Sequence, residues 1–133
     1  MAIDKKTLRL LDANLNRARE GIRVVEDTAR FLWNNAALYK RLRNLRHKLH
    51  QISASKYKDL LKSRESATDA GRAMKEYSRS SIASVVSANI RRAQEAVRVL
   101  EEYSKVFSPQ AASDFKKVRF QLYIEEKKLL QKL

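Results

Sequence analysis

Residues 13–27 and 88–102 align without a gap, and eight of the fifteen pairs are identical: Ala13/Ala88, Asn14/Asn89, Arg17/Arg92, Ala18/Ala93, Glu20/Glu95, Arg23/Arg98, Val24/Val99 and Glu26/Glu101. Any two amphipathic helices share an apolar period. Exposed polar positions accept many residues, so repeated Asn, Arg and Glu mark an internal duplication. The match continues more loosely, with Leu42, Leu45, Arg46 and Leu49 aligning on Phe115, Val118, Arg119 and Leu122. Such a chain is constrained to two copies of one helical hairpin, related by an approximate two-fold and packed as a four-helix bundle.

The rest of the sequence agrees with an all-α fold. Only 2 Gly and 1 Pro occur in 133 residues, so little interrupts a helix. In residues 8–32, Leu8, Leu11, Leu15, Ala18, Ile22, Val25, Ala29 and Leu32 form one stripe, with Thr7 as expected N-cap and Asn34-Asn35 as expected stop. A second helix starts at Ala36 and carries Leu38, Leu42, Leu45, Leu49 and Ile52, with Leu60 and Leu61 beyond it. Residues 63–80 are rich in Ser, Asp, Thr and Gly and read as a connection with at most a short helix. A third helix covers 81–106. Ser108-Pro109 then breaks the chain and opens a fourth over 109–130, whose stripe holds Phe115, Val118, Leu122, either Ile124 or Glu125, and Leu129. The expected organisation is one domain over 1–133, with one half over 7–62, the connection over 63–80 and the other half over 81–132.

Composition bounds the chemistry. There is no cysteine, which excludes disulfides, thiolate catalysis and Cys-ligated metals. No segment reaches the roughly 18 apolar residues of a membrane span, and the amino terminus has no signal-peptide pattern, so a cytoplasmic protein without membrane association is expected. A net charge of +14 calls for an anionic partner, either nucleic acid or phosphorylated small molecules, unless it is only a solvated surface. Nucleic acid is the first guess for so basic a helical chain and phosphorylated small molecules the second, although helix-turn-helix and zinc patterns are absent and the five tyrosines do not interleave with a basic stripe. His47 and His50 have no acidic ligand at metal spacing and read as ordinary solvent-edge residues.

Several polar residues exceed what a bundle needs. Arg23 with Glu26, and Arg98 with Glu101, are spaced for i, i+3 ion pairs that support a helix by a few tenths of a kcal/mol. The same residues suit an anion and metal site, because Arg forks grip phosphate and carboxylates hold Mg²⁺. A polar network at the pseudo-two-fold is a third reading. The connection adds Ser63-Arg64-Glu65, Asp69-Ala70-Gly71, Glu76 and Arg79. Gly71 there reads as a plain turn, as a positive-φ turn, or as backbone approaching a ligand closely.

Residues 11–27 strongly resemble the opening of the small hydroxymethylpyrimidine-phosphate kinase domain of thiamine biosynthesis, found alone or fused in front of thiamine-phosphate synthase. Further matches are Leu45-Arg46-His47, Ser63-Arg64-Glu65 with Asp69 and Gly71, residues 76–79, and Ala88-Asn89 through Arg92, Glu95, Arg98 and Glu101-Glu102-Tyr103. Two positions depart from the pattern: Glu65 stands where Asp is expected, and Ala70 where a branched apolar residue is expected.

The resemblance implies ATP-dependent phosphorylation of hydroxymethylpyrimidine monophosphate, rather than the free alcohol, to the diphosphate. Condensation with the thiazole phosphate is not expected from this chain. Such a kinase would lack a Gly-rich nucleotide loop and a Walker lysine, so side chains and helix N-termini must hold the phosphates. The acceptor is an anionic phosphate oxygen, which needs positioning and charge neutralisation more than a strong base. On that basis Arg23, Arg64 and Arg98 are expected to act on the transferred group, and Arg17, Arg46 and Arg92 to hold phosphates. Asn14 and Asn89 would meet a pyrimidine edge or orient arginines, while Gly71 lets backbone approach. Glu26, Asp69 and Glu101 would carry Mg²⁺. The expected partners are ATP and a phosphorylated pyrimidine, with self-association left open. The rival reading is a basic nucleic-acid-binding or assembly module, with its charge spread over a broad outer face.

Overall fold

The computed structural model describes residues 3–131, without the side chain of Leu130; the expected boundaries at 1, 132 and 133 lie outside them. The first helix, α1 (Lys5–Asp27), begins one turn before the expected cap. Asp4 is the N-cap, its Oδ1 accepting the Thr7 N–H at 2.7 Å, and Thr7 itself lies inside the helix. After Asp27 the helix widens into a π-helical turn, Thr28–Leu32. The wider turn takes the following residues out of phase with the stripe, so Ala29 stays buried but Leu32 is 60% exposed. Asn34 then takes a positive φ of 49°, and Asn35 caps α2 (Ala36–Ser53) by accepting the Leu38 N–H, as the stop signal requires.

A 3₁₀ turn leads into a short helix, α3 (Tyr57–Ser63), which packs against α1 through the region around buried Leu60. Every residue from 64 to 81 is exposed, and the only helical piece there is the 3₁₀ turn Ser66–Thr68. Helix α4 (Ile82–Ser104) opens with a reciprocal cap in which the Ser81 and Ser84 hydroxyls each accept the other's backbone N–H. Ser108 caps α5 (Pro109–Leu130), with Pro109 in its first turn. No strand occurs among the described residues.

The four long helices pack in the cyclic order α1, α4, α5, α2. The start of α1 (Leu8, Leu11), the end of α4 (Leu100, Ser104), the end of α2 (Ile52) and the start of α5 (Phe115) line one cavity of about 160 Å³. Neighbouring helices are therefore antiparallel, and the duplication is an approximate two-fold perpendicular to the bundle axis, between α1 and α4. At this crossing a Cβ on Gly21 would lie 2.8 Å from the Asn89 carbonyl oxygen and 3.4 Å from the Ala93 Cβ. Glycine lets α1 approach α4 that closely.

The core holds the expected stripes, with Ile22, Leu42, Leu49, Val97 and Leu122 all fully buried. Between the two alternatives on α5, Glu125 is inside at 2% exposure and Ile124 is 46% exposed. Glu125 is admitted because Arg41 of α2 binds both its oxygens, at 2.8 and 3.2 Å. Among the described residues no helix is long and apolar enough to cross a membrane.

Candidate functional site

Glu26 is 1% exposed, and both its oxygens accept from Arg46 of α2, Nε at 2.7 Å and Nη2 at 3.0 Å. Its repeat mate does the same. Glu101, 3% exposed, accepts from Arg119 Nε at 3.0 Å and Nη2 at 3.3 Å, and Arg98 Nη1 adds a bond at 3.0 Å. The carboxylate hydrogen bonds raise the Arg46 and Arg119 guanidiniums above their ordinary pKa. These contacts correct the reading of Glu26 and Glu101 as Mg²⁺ carriers: buried, with their oxygens committed to guanidiniums, they brace the two hairpins. Among the described residues no three His, Asp or Glu side chains gather as a metal set. Arg46, expected to hold phosphate, spends two of its nitrogens on Glu26.

With Glu26 taken by Arg46, Arg23 turns to Asp27 at 3.3 Å, whereas Arg98 makes the expected i, i+3 pair and a second bond to Glu102 at 3.2 Å. Because α1 and α4 are antiparallel, Arg23 and Arg98 lie toward opposite ends of that pair, so the fold does not bring them into one pocket. Arg17 is exposed with no ion pair among the described residues, and Arg92 reaches only Glu76 of the connection, at 3.8 Å. Asn14 and Asn89 each donate Nδ2 to their own helix, to the Leu10 and Val85 carbonyls at 3.0 and 2.8 Å. Each duplicated asparagine therefore bonds back onto its own helix through Nδ2.

The chemistry-bearing surface is the outer side of α1, where adjoining hollows meet. The first, about 290 Å³, lies between α1 and the connection and is lined by Arg9, Asn16, Glu20, Arg64, Glu65 and Asp69 among others. Arg64 is held there by Asp12, which is 4% exposed and accepts Nε and Nη2 at 2.8 Å each. That carboxylate raises the Arg64 pKa above its ordinary value. Arg9 donates to the Glu65 carbonyl at 3.2 Å and fastens the loop to α1. Asp69 Oδ1 accepts the Gly71 N–H at 2.6 Å, closing a side-chain turn. Gly71 does not have a positive φ, which removes that reading, and a Cβ there would meet Asp69 Oδ1 at 3.2 Å.

A second hollow continues over Asn16, Arg19, Glu20, Arg23 and Arg46, and a third runs between α1 and α2 along Arg19, Arg46, His47, His50 and Gln51. Shared residues join all three into one cationic band crossing α1. Of the predicted site residues, Arg23, Arg46, Arg64 and Asp69 line this band; Arg98, Asn89 and Glu101 line none of its hollows. Sequence reading passed over Arg9, Asp12, Asn16 and Arg19. Asp12, Asn16 and Arg19 all lie inside the resembling segment, but only the α3 and loop packing shows that they meet Arg64 and Arg46.

Fold and surface together define an internally duplicated helical domain that concentrates arginines beside exposed carboxylates on one half. Residues 9–128 match the ThiD2 family, and the chain belongs to that family. It is 42% identical over 125 residues to a protein named thiamine-phosphate synthase from a Synechococcus species, covering 92% of this chain and 35% of that protein. Proteins of the same name from Nostoc punctiforme and Rhodopirellula baltica are 40% and 36% identical, over 96% and 99% of this chain and 36% of each relative. The chain thus spans about a third of the length of these relatives. No solved structure matches it significantly.

Proposed function

We propose that this chain serves thiamine biosynthesis as a kinase, transferring a phosphoryl group from ATP to hydroxymethylpyrimidine monophosphate to give the diphosphate. The observation that carries this reading is the cationic band on α1, with exposed carboxylates among its arginines, in a chain of the ThiD2 family. In the reaction an acceptor phosphate oxygen attacks the γ-phosphorus of ATP, the bond to the β,γ-bridging oxygen breaks, and ADP leaves. The acceptor oxygen is already anionic, so the residues' task is to hold two polyanions in line.

Arg64, fixed by Asp12, and Arg23, exposed at the rim, are the groups placed to neutralise and orient the transferred phosphoryl. Arg9 secures the loop that carries Asp69. Arg98 lies at the far end of the α1–α4 pair and is not assigned to this site. The donor set fits a nucleotide-borne Mg²⁺ but not a protein cage: Asp69 keeps Oδ2 outside its turn, and Glu65 and Glu20 line the same hollow. Bound there, Mg²⁺ would offset the phosphate charge.

The test is a phosphoryl-transfer assay with ATP and Mg²⁺, comparing the free pyrimidine with its monophosphate. Diphosphate formed from the monophosphate alone supports the reading. Absence of transfer to either acceptor, together with oligonucleotide binding that falls steeply with salt, would establish the nucleic-acid module instead.

A further inference from the structure

The two halves share a core but not a surface. Along the α1–α2 groove stand Arg19, Arg46, His47, His50 and Gln51, in a hollow of about 300 Å³. Extending the repeat alignment, their mates in the second half are Gln94, Arg119, Phe120, Tyr123 and Ile124. There the groove satisfies itself. Gln94 donates to Glu126 at 3.1 Å, and the third nitrogen of Arg119 donates to the Tyr123 hydroxyl at 3.0 Å. The Arg119 guanidinium also lies over the Phe120 and Tyr123 rings, 5.1 and 5.6 Å from their centroids. The first half has none of these partners. Arg46 Nη1 makes no hydrogen bond among the described residues, and Arg19 Nε is shielded from solvent without any acceptor. An orphaned donor on a charged group is costly, and an anion held against the Arg19 guanidinium would offset that cost.

We infer that this groove is a phosphate-binding site, taking the terminal phosphate of a small phosphorylated molecule between Arg19, Arg46, His47 and His50. The Arg19 and Arg46 guanidiniums supply charge-assisted donors, Arg46 through its unpaired Nη1, and each imidazole offers an N–H in either protonation state. The same scaffold carries an aromatic groove with internally paired donors in one half and a cationic one with unpaired donors in the other. This divergence gives the first hairpin an anion subsite that its repeat mate lacks. The inference draws on the kinase reading only for the nature of the larger molecule, because capture of phosphate is measured without turnover.

The chain has two histidines, both in this groove, so their ring resonances report on it directly. Inorganic phosphate is titrated into the full chain at constant ionic strength while both histidine signals are followed by NMR. Saturable shifts of both signals, weakened at least tenfold in Arg19→Gln, are expected. That variant installs the residue the second half already tolerates at the matching position. His50→Tyr, the other natural mate, should weaken the shift of His47 similarly. Absent shifts, or shifts unchanged in both variants, would overturn the site, as would tighter, steeply salt-dependent displacement of phosphate by an oligothymidylate. Turnover without phosphate-induced shifts sinks this inference alone; shifts without turnover sink the kinase reading alone.

Discussion

Glu26 and Arg46 form a two-bond ion pair inside the bundle, and Glu101 and Arg119 repeat it across the pseudo-two-fold. Sequence alignment pairs the two glutamates and the two arginines but does not say that they touch. Removing one partner of a buried pair strands a charge, at a cost of about 3–5 kcal/mol. Arg46→Ala should destabilise the chain by that amount in urea unfolding. Arg119→Ala should cost less, because Glu101 retains Arg98. Equal and small losses in both variants would show that neither pair braces the core.

Gly21→Ala should destabilise the protein although alanine is the better helix former by about 1 kcal/mol. The new methyl would meet the Asn89 carbonyl, which is backbone and cannot rotate away. Overpacking of this kind costs about 1–3 kcal/mol. A melting temperature that rises in this variant would mean α1 and α4 can separate freely.

Arg23→Ala and Arg64→Ala separate activity from folding. Arg23 is exposed with a single 3.3 Å partner on its own helix, so its loss should abolish most turnover and leave the melting temperature nearly unchanged. The sequence alone suggests the same for Arg64. The structure revises this, because Arg64→Ala would leave buried Asp12 without its guanidinium and should lower stability as well. Arg64→Lys is the sharper probe, keeping charge while losing the two-pronged grip. Full kcat in both Arg23→Ala and Arg64→Lys would remove these residues from the site.

Acid should fray α1 from its start. The Thr7 N–H holds the Asp4 carboxyl below its ordinary value of 3.8. A carboxyl depressed in the folded state stabilises fully above its unfolded pKa and loses that contribution as pH falls through the folded one. Protection of the Thr7 amide, corrected for its intrinsic exchange rate, should therefore fall below about pH 4, and Asp4→Asn should keep the cap while removing that fall. Protection at Thr7 insensitive to pH in this sense would mean another group caps the helix.

The helices were legible because their causes are local. Apolar spacing, the Asn34-Asn35 stop and Ser108-Pro109 each act within a few residues, and the duplication supplied the pairing of hairpins. What stayed hidden depends on contacts far apart in sequence. The Glu125 burial is intelligible only beside Arg41, and the roles of Asp12 and Arg64 require the loop to fold back over α1. Repeated Asn, Arg and Glu suggested a binding site shared by both halves; in the structure Glu26 and Glu101 accept from Arg46 and Arg119 across their own hairpins, and Asn14 and Asn89 bond back onto their own helices.

The exposed stretch from 64 to 81 has a structural corollary. Once Arg64 and Glu65 have reached α1, the remainder contributes little to what holds the hairpins together, since the α1–α4 and α2–α5 contacts lie elsewhere. The polypeptide is therefore divisible there: a nick beyond Asp69 leaves two fragments whose complementary faces are already formed. In this sense the bundle is a heterodimer written on one chain, and its two protomers have been free to drift apart in surface while remaining matched at their shared seam.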